Sequence, residues 1–257
     1  WGAIAGDIGG LADFFAQTDL DAPLRARTVK LLAPVMARVG FTAKAEEPAI
    51  VTNLRETLVS QLGLAGDPDV AAQARRYVAA LATDPAAIPP AIREPILTTY
   101  AVNATPVEWD ALLAIARSTN NPVAKNGYIR LLGTARDDAL AARALDLIKA
   151  SDFTAPQKAE LLAAIAGRHP DMAFDFAVAN LELVNGLLET STRAGFIVAL
   201  GAGSNDPAMP GKIQAFAEKN LPEASRGGAR RALTTIAVRK AAADRLRAAT
   251  AAWLAGG

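Results

Sequence analysis

The chain has 257 residues, 51% hydrophobic and 21% charged, enough apolar material to bury a substantial core and too much for a disordered tail. Its 27 basic and 26 acidic side chains leave a formal charge of +1, so the overall balance gives no argument for nucleic acid or an anionic membrane as partner. Cysteine is absent, which excludes disulfides and thiolate metal sites, and no apolar run approaches the ~18 residues of a membrane span.

In chain order the sequence reads as helices between breaks. Residues 1–15 carry Ile4, Ile8, Leu11 and Phe15 on one side. Asp21-Ala22-Pro23 opens a helix with Val29, Leu32, Val35 and Met36. After Gly40-Phe41, the acidic pair Glu46-Glu47 and Pro48 form a helix entrance, where negative charge suits the positive end of the helix dipole. Val51, Leu54, Leu58 and Leu62 then recur at helical period with Arg55 and Glu56 beside the stripe, and Gly63 with Gly66-Asp67-Pro68 closes the element. From Pro68 the spacing of Val70, Ala74, Tyr77, Val78 and Leu81 predicts the next helix, with Arg75 and Arg76 facing water. Prolines 85, 89 and 90 interrupt before a helix over 92–102.

Thr105-Pro106-Val107-Glu108 has the form of a capping box with proline at the first helical position. It leads to Trp109, Leu112, Leu113 and Ala116. Asn120-Asn121-Pro122 turns into a short helix over 123–132, and Asp137 or Asp138 caps 140–150. Thr154, Pro156 and Gln157 repeat the capping formula before Leu161, Leu162 and Ile165. One helix is expected over 170–188 with Phe174, Val178, Leu181 and Val184, another over 191–200, and another around 213–219. The apolar phase of the final segment shifts between Leu233-Ile236 and Leu246-Trp253, which predicts a break near Ala241.

No segment alternates with a two-residue period, so the fold class is all-α. Helices of roughly 12 residues and loops of about 5 give on the order of fifteen helices. Short loops make neighbours antiparallel, and a row of such pairs stacks into an α-solenoid or superhelix, HEAT/armadillo-like without a strict sequence repeat. The expected organisation is one helical-repeat domain over residues 1–257. A start at Trp1 inside a helix-like stretch, without initiator methionine or signal sequence, raises the expectation of a fragment of a larger chain, and leaves cytoplasm and periplasm both open.

Candidate chemistry is sparse. The one histidine, His169, precedes Pro170 at a turn, where a surface or capping role is expected; an H-E-x-x-H zinc helix needs two histidines one turn apart. The same shortage argues against a Ser-His-Asp or Cys-His centre. Glu46-Glu47 and Asp137-Asp138 are sequence neighbours that diverge by about 100° on a helix and read as caps, not as an acid/base couple. Gly201-Ala202-Gly203 lacks the third glycine and the lysine of phosphate-binding loops and reads as a plain loop. Trp109, Tyr128, Phe174 and Phe196 lie on apolar stripes, as packing residues do. The basic run Lys219, Arg226, Arg230, Arg231, Arg239, Lys240, Arg245 and Arg247 is opposed only by Glu223 and Asp244. A solvated face is the plain reading of it, and attraction of a peptide's carboxylates the functional one.

Several stretches, taken in order, resemble the C-terminal helical domain of the M1 family of zinc aminopeptidases. They are Gly40-Phe41, Glu46-Glu47-Pro48 and Leu54-Arg55 ending at Gly66-Asp67, then Asp67-Pro68 leading to Ala74-Arg75, and Ile92-Arg93-Glu94. KNGYIRLLGTARDD over 125–138, Ala173-Phe174-Asp175-Phe176 with Asn180, and Trp253-Leu254 complete the set. Leu181 departs from the aromatic usual after the asparagine. The resemblance implies a superhelical domain, without catalytic or metal-binding residues, that arches over the zinc site of a preceding thermolysin-like domain. There it would shape an internal chamber and limit which peptides enter. On that reading zinc belongs to the catalytic domain, the partners are that domain and the peptide substrate, and Arg226, Arg230 and Arg231 are the candidate contacts to the peptide's distal part. The alternative is a stand-alone helical-repeat scaffold that binds a partner protein.

Overall fold

The computed structural model describes residues 1–256, and among them every regular element is helical: fourteen α-helices and two 3₁₀ turns. The all-α expectation, with about the number of helices that average lengths imply, is borne out. The chain divides into two compact units, residues 1–103 with 243–256, and residues 104–242.

In the first unit α1 (Gly2–Phe14), α2 (Asp21–Val39), α3 (Ala49–Ala65), α4 (Pro68–Ala80) and α5 (Arg93–Val102) are joined by short loops, with a 3₁₀ turn at Pro90–Ile92. Helix α3 is the hub, packing on α1, α2, α4 and α5. Its Leu58, Val59 and Leu62 meet Leu32, Val35 and Met36 of α2, Val70 and Ala74 of α4, and Ile92 and Ile96 from the α5 side in one core. The closest approach is to α5, where Gly63 lies under Thr99: a Cβ on Gly63 would sit 1.9 Å from Thr99 Oγ1. Asn103 Nδ2 then donates to the Gly63 carbonyl at 2.9 Å. Gly66, at φ +83°, ends α3 in the left-handed conformation that glycine adopts without a steric cost. Asp67 caps α4 through bonds to the Asp69 and Val70 amides, with Pro68 at the first helical position as expected.

Three readings change in this unit. Ile4 is exposed and Ala5 takes the buried place on α1. Arg75 does not simply face water, since its Nη2 donates to the Asn103 carbonyl at 3.1 Å. Glu47 does not cap α3. Its carboxylate takes a 2.7 Å bond from Arg55 Nη2, and further bonds from Thr52 Oγ1 and the Lys44 amide, both at 3.3 Å. Arg55 is only 2% exposed and donates Nε to the Gly40 carbonyl at 2.8 Å, so the residue read as flanking the stripe is in the interior.

The second unit holds α6 (Pro106–Ser118), α7 (Pro122–Leu132), α8 (Asp138–Lys149), α9 (Ala155–Ala166), α10 (Pro170–Ala179), α11 (Leu181–Gly186), α12 (Thr190–Leu200), α13 (Met209–Asn220), a 3₁₀ turn at Glu223–Ser225, and the first half of α14 (Gly227–Ala255). Helices contact the next element, as α6 does α7, α8 does α9 and α9 does α10, and also the next but one, α7 with α9, α8 with α10 and α10 with α12. A two-layered row of helix pairs has that pattern. The capping box of Thr105 and Glu108 is formed, as is that of Thr154 and Gln157, and Asn121 and Asp137 cap α7 and α8. Trp109 is buried, donates Nε1 to the Leu132 carbonyl at 3.0 Å, and has the Arg143 guanidinium 4.5 Å above its ring. Phe174 meets Phe216 edge to face at 6.2 Å.

Two boundaries differ from expectation. The helix read over 170–188 breaks at Asn180, which has φ −121° and ψ 42° and turns its amide back to the Phe176 carbonyl. Val178 is exposed in consequence, while Val184 of α11 is buried. The expected break near Ala241 is absent, because α14 is a single helix of 29 residues. Its stripe shifts phase because the first half buries Ala229, Ala232 and Ile236 in the second unit, whereas residues from 243 onward belong to the first unit, where Thr250 is buried.

Two stability predictions follow from the first unit. Gly63→Ala should destabilise by about 1–3 kcal/mol through overpacking against Thr99, although alanine is intrinsically the better helix former; urea denaturation reads the change. Arg55 holds the Glu47 carboxyl down at about 2, below its ordinary value. The pair's contribution is therefore complete above the unfolded carboxylate range and is lost as pH falls toward that value. Glu47→Gln should lower the melting temperature at pH 7 and flatten the wild-type decline in stability between about pH 5 and pH 2, measured by thermal melts across that range.

Candidate functional site

The basic run proposed from sequence is sorted by the fold into tied and untied cations. Arg226 is half-buried in the turn after α13, where Nε donates to the Leu221 carbonyl at 3.1 Å and Nη2 to the Glu218 carbonyl at 3.2 Å. It closes that turn by satisfying carbonyls that the end of α13 leaves open. In the first unit, Arg247 bonds both carboxylate oxygens of Asp19 at 2.6 Å and holds that carboxyl below its usual range. Nearby, Trp253 lies under the Arg27 guanidinium at 5.1 Å.

Arg230 and Arg231 are exposed where the first turn of α14 passes into the second, with no acidic partner among the described residues. Side chains on a helix lean toward its N-terminus, and Gly227 lies three and four residues before them. Glycine offers nothing to hold them off, so Arg231 Nη1 and Arg230 Nη2 come within 3.8 and 4.0 Å of the point where a Gly227 Cβ would stand. The two guanidinium groups flank one spot at the positive end of a helix, an arrangement that favours negative charge there. The two arginines thus flank one spot, while Arg226 is spent on backbone.

Beside this turn the second unit opens a cleft of about 300 Å³. Leu181, Ile197 and Phe216 line it from α11, α12 and α13, and Leu221, Pro222 and Ser225 from the turn. Arg193 reaches in from the first turns of α12, with Nε donating to the Leu188 carbonyl at 3.1 Å. Of these residues the sequence marks Leu181 alone, as part of an apolar stripe and as a departure from the family pattern, and not Arg193.

His169 is not at the surface. It stands at the N-cap position of α10 with its side chain turned inward, only 3% exposed, and does not cap. Nε2 donates to the Ala135 carbonyl at 2.8 Å, and Nδ1 faces the Asp138 carboxylate at 3.1 Å. It pins the start of α10 to the turn before α8, so the only histidine has a structural job. Among the described residues no three histidine, cysteine or acidic side chains cluster as metal ligands do. Among them, too, no helix is long and apolar enough to cross a membrane. Gly201-Ala202-Gly203 is a turn whose Gly201 packs against Met209.

The sequence model of the ERAP1-like C-terminal domain family matches residues 1–238, more than nine-tenths of the chain and both units. The chain belongs to that family. No curated protein matches it. Membership places an ERAP1-like C-terminal domain in the setting of M1 aminopeptidases, whose zinc is held by the catalytic domain, and implies association with such a domain.

If His169 serves this ERAP1-like domain as a buried tie, His169→Phe should keep the ring's bulk while leaving the Ala135 carbonyl without a donor. The expected cost is about 1–3 kcal/mol in urea denaturation, with an unchanged circular dichroism spectrum.

Proposed function

We propose that this chain is the non-catalytic part of a zinc-dependent M1 aminopeptidase, a helical domain of two units that encloses the active-site chamber and governs which peptides reach it. The observation that carries the reading is the family match over residues 1–238. Two features of the chain agree with it. Its only histidine is committed to the fold, which leaves hydrolysis to the preceding thermolysin-like domain. Within the second unit helices pack in successive pairs, and a row of that kind offers an inner surface to a peptide.

A domain of this kind acts without touching the scissile bond. Closing over the site excludes water and completes the surface that holds the substrate, and binding energy gained far from the reacting carbonyl helps position it. Of the three arginines proposed to meet the peptide's distal part, Arg230 and Arg231 would pair with a carboxylate, a reading supported by their two guanidinium groups flanking one spot. Arg226 supports them by fixing the turn on which α14 begins.

The genomic test is the reading frame upstream of Trp1, which should encode an H-E-x-x-H helix with a downstream glutamate ligand; a start codon or signal peptide directly before Trp1 would defeat the proposal. In the full-length enzyme, the double change Arg230→Glu and Arg231→Glu should raise KM several-fold for peptides of eight or more residues. Turnover of aminoacyl-anilides, too short to reach α14, should stay unchanged.

A further inference from the structure

The sequence contains two Asn-Gly pairs, Asn126-Gly127 and Asn185-Gly186, and the fold treats them differently. Where glycine follows asparagine, the next backbone nitrogen can close on the side-chain carbonyl carbon, because glycine puts no Cβ in the way. Both glycines stand in open space, with nothing within 4 Å of the point where a Cβ would lie, so steric access does not separate the pairs. Helical structure and the tether on the side chain do. Asn126 lies inside the eleven-residue α7, and its Oδ1 accepts from Gln157 Nε2 of α9 at 2.9 Å. Asn185 is the last residue but one of α11, a helix of six residues that buries only Val184 and runs out into the turn at 187–189. Three other asparagines at helix C-termini, Asn103, Asn180 and Asn220, each donate the side-chain amide to the carbonyl four residues earlier. Asn185 makes no such bond, nor any other side-chain bond among the described residues. Ring closure requires the asparagine to leave the helical conformation, which costs little at the fraying end of a short helix and much more inside a packed one.

We propose that Asn185 is a site of spontaneous deamidation in the folded chain, while Asn126 is protected. The Gly186 amide gives its proton to hydroxide, and its nitrogen bonds to Asn185 Cγ. The Cγ–Nδ2 bond breaks, and the leaving nitrogen takes a proton from water and departs as ammonia. Water then opens the succinimide ring at either carbonyl, giving aspartate or isoaspartate at position 185. One water is consumed and one ammonia released, so the reaction needs no cofactor and does not depend on the chamber role. The product places a carboxylate on the wall of the cleft that Arg193 also lines, where no acidic side chain stands before the reaction. Isoaspartate also adds a methylene to the backbone, which ends the helical register of α11 at that point. The age of the chain is thereby recorded as a charge beside Arg193.

Ageing the whole chain at mildly alkaline pH and physiological temperature, followed by proteolysis and mass spectrometry, tests it. The fragment carrying Asn185 should acquire the mass of an Asn-to-Asp change and separate into aspartyl and isoaspartyl forms. Its conversion should run at least about tenfold faster than that of Asn126, since a frayed helix end opens more often than a packed interior. The rate should rise in proportion to hydroxide. A synthetic peptide of residues 181–190 gives the rate without any fold, and Asn185 in the chain should keep more than about a tenth of it. Gly186→Ala, in open space, should leave the fold intact and slow the conversion several-fold, and unaged Asn185→Asp should elute with the aspartyl form of the aged chain on ion exchange. Melting temperatures confirm that each variant is native. Comparable rates at the two pairs, a rate at Asn185 below that fraction of the peptide's, or an undiminished rate in a natively melting Gly186→Ala would overturn the proposal.

Discussion

The first unit depends on one buried charge. Arg55 sits on the hub helix among leucines and valines, and an arginine in that setting is tolerated only with partners for its donors. Glu47 and the Gly40 carbonyl supply them. Both come from the connection between α2 and α3, so the ion pair also decides the path of that loop. The loop contains two residues with positive φ, Gly40 at +73° and Glu46 at +59°. For Glu46 that backbone is costly, and it persists because its neighbour Glu47 is held in place. Breaking the pair would leave a charge stranded beside the core, which is why this contact matters more to the unit than exposed pairs such as Arg25 with Asp21.

Helix starts were legible because capping is local. Thr105 with Glu108, Thr154 with Gln157, Asp67 before Pro68 and Asn121 before Pro122 each contain both partners within a few residues. Burial of polar side chains was not, because the partner lies elsewhere in the chain. His169 meets a carbonyl 34 residues away, and Glu47 an arginine eight residues on across a bend. At the level of sequence both stand where exposed caps stand, before a proline. The break at Asn180 was missed for a related reason. Asparagine can continue a helix or end one by bonding its own backbone, and packing of Val184 decides between the two.

The final helix shows how a misleading pattern arises from correct observations. Its apolar residues do shift phase near Ala241, and its cations do scatter around the axis. Both follow from one long helix that belongs to the second unit in its first half and the first unit in its last residues. The first half buries Ala229, Ala232 and Ile236, whereas among the described residues from 243 onward Thr250 is buried and Leu246 exposed, so no single face runs over the 29 residues. A phase shift in sequence therefore signals a change of packing partner as readily as a break, and here no glycine or proline accompanies it to interrupt the helix.

The same sorting separates the cations of the second unit into tied and untied ones. Several charged groups in the second unit pair with a neighbour, as Lys212 does with Asp175, or Arg143 with Asp110. Arg226, Arg230 and Arg231 are not among them. Arg226 spends its donors on the Leu221 and Glu218 carbonyls and thereby sets the turn. That turn forms one wall of the Arg193 cleft on one side and leads into the Arg230 and Arg231 pair on the other. A cation tied to backbone contributes order, and cations left untied contribute affinity. Having the first kind hold the second in position means that less freedom is lost when an anion arrives. Rigid support beneath unpaired donors lowers the ordering cost of meeting an anion.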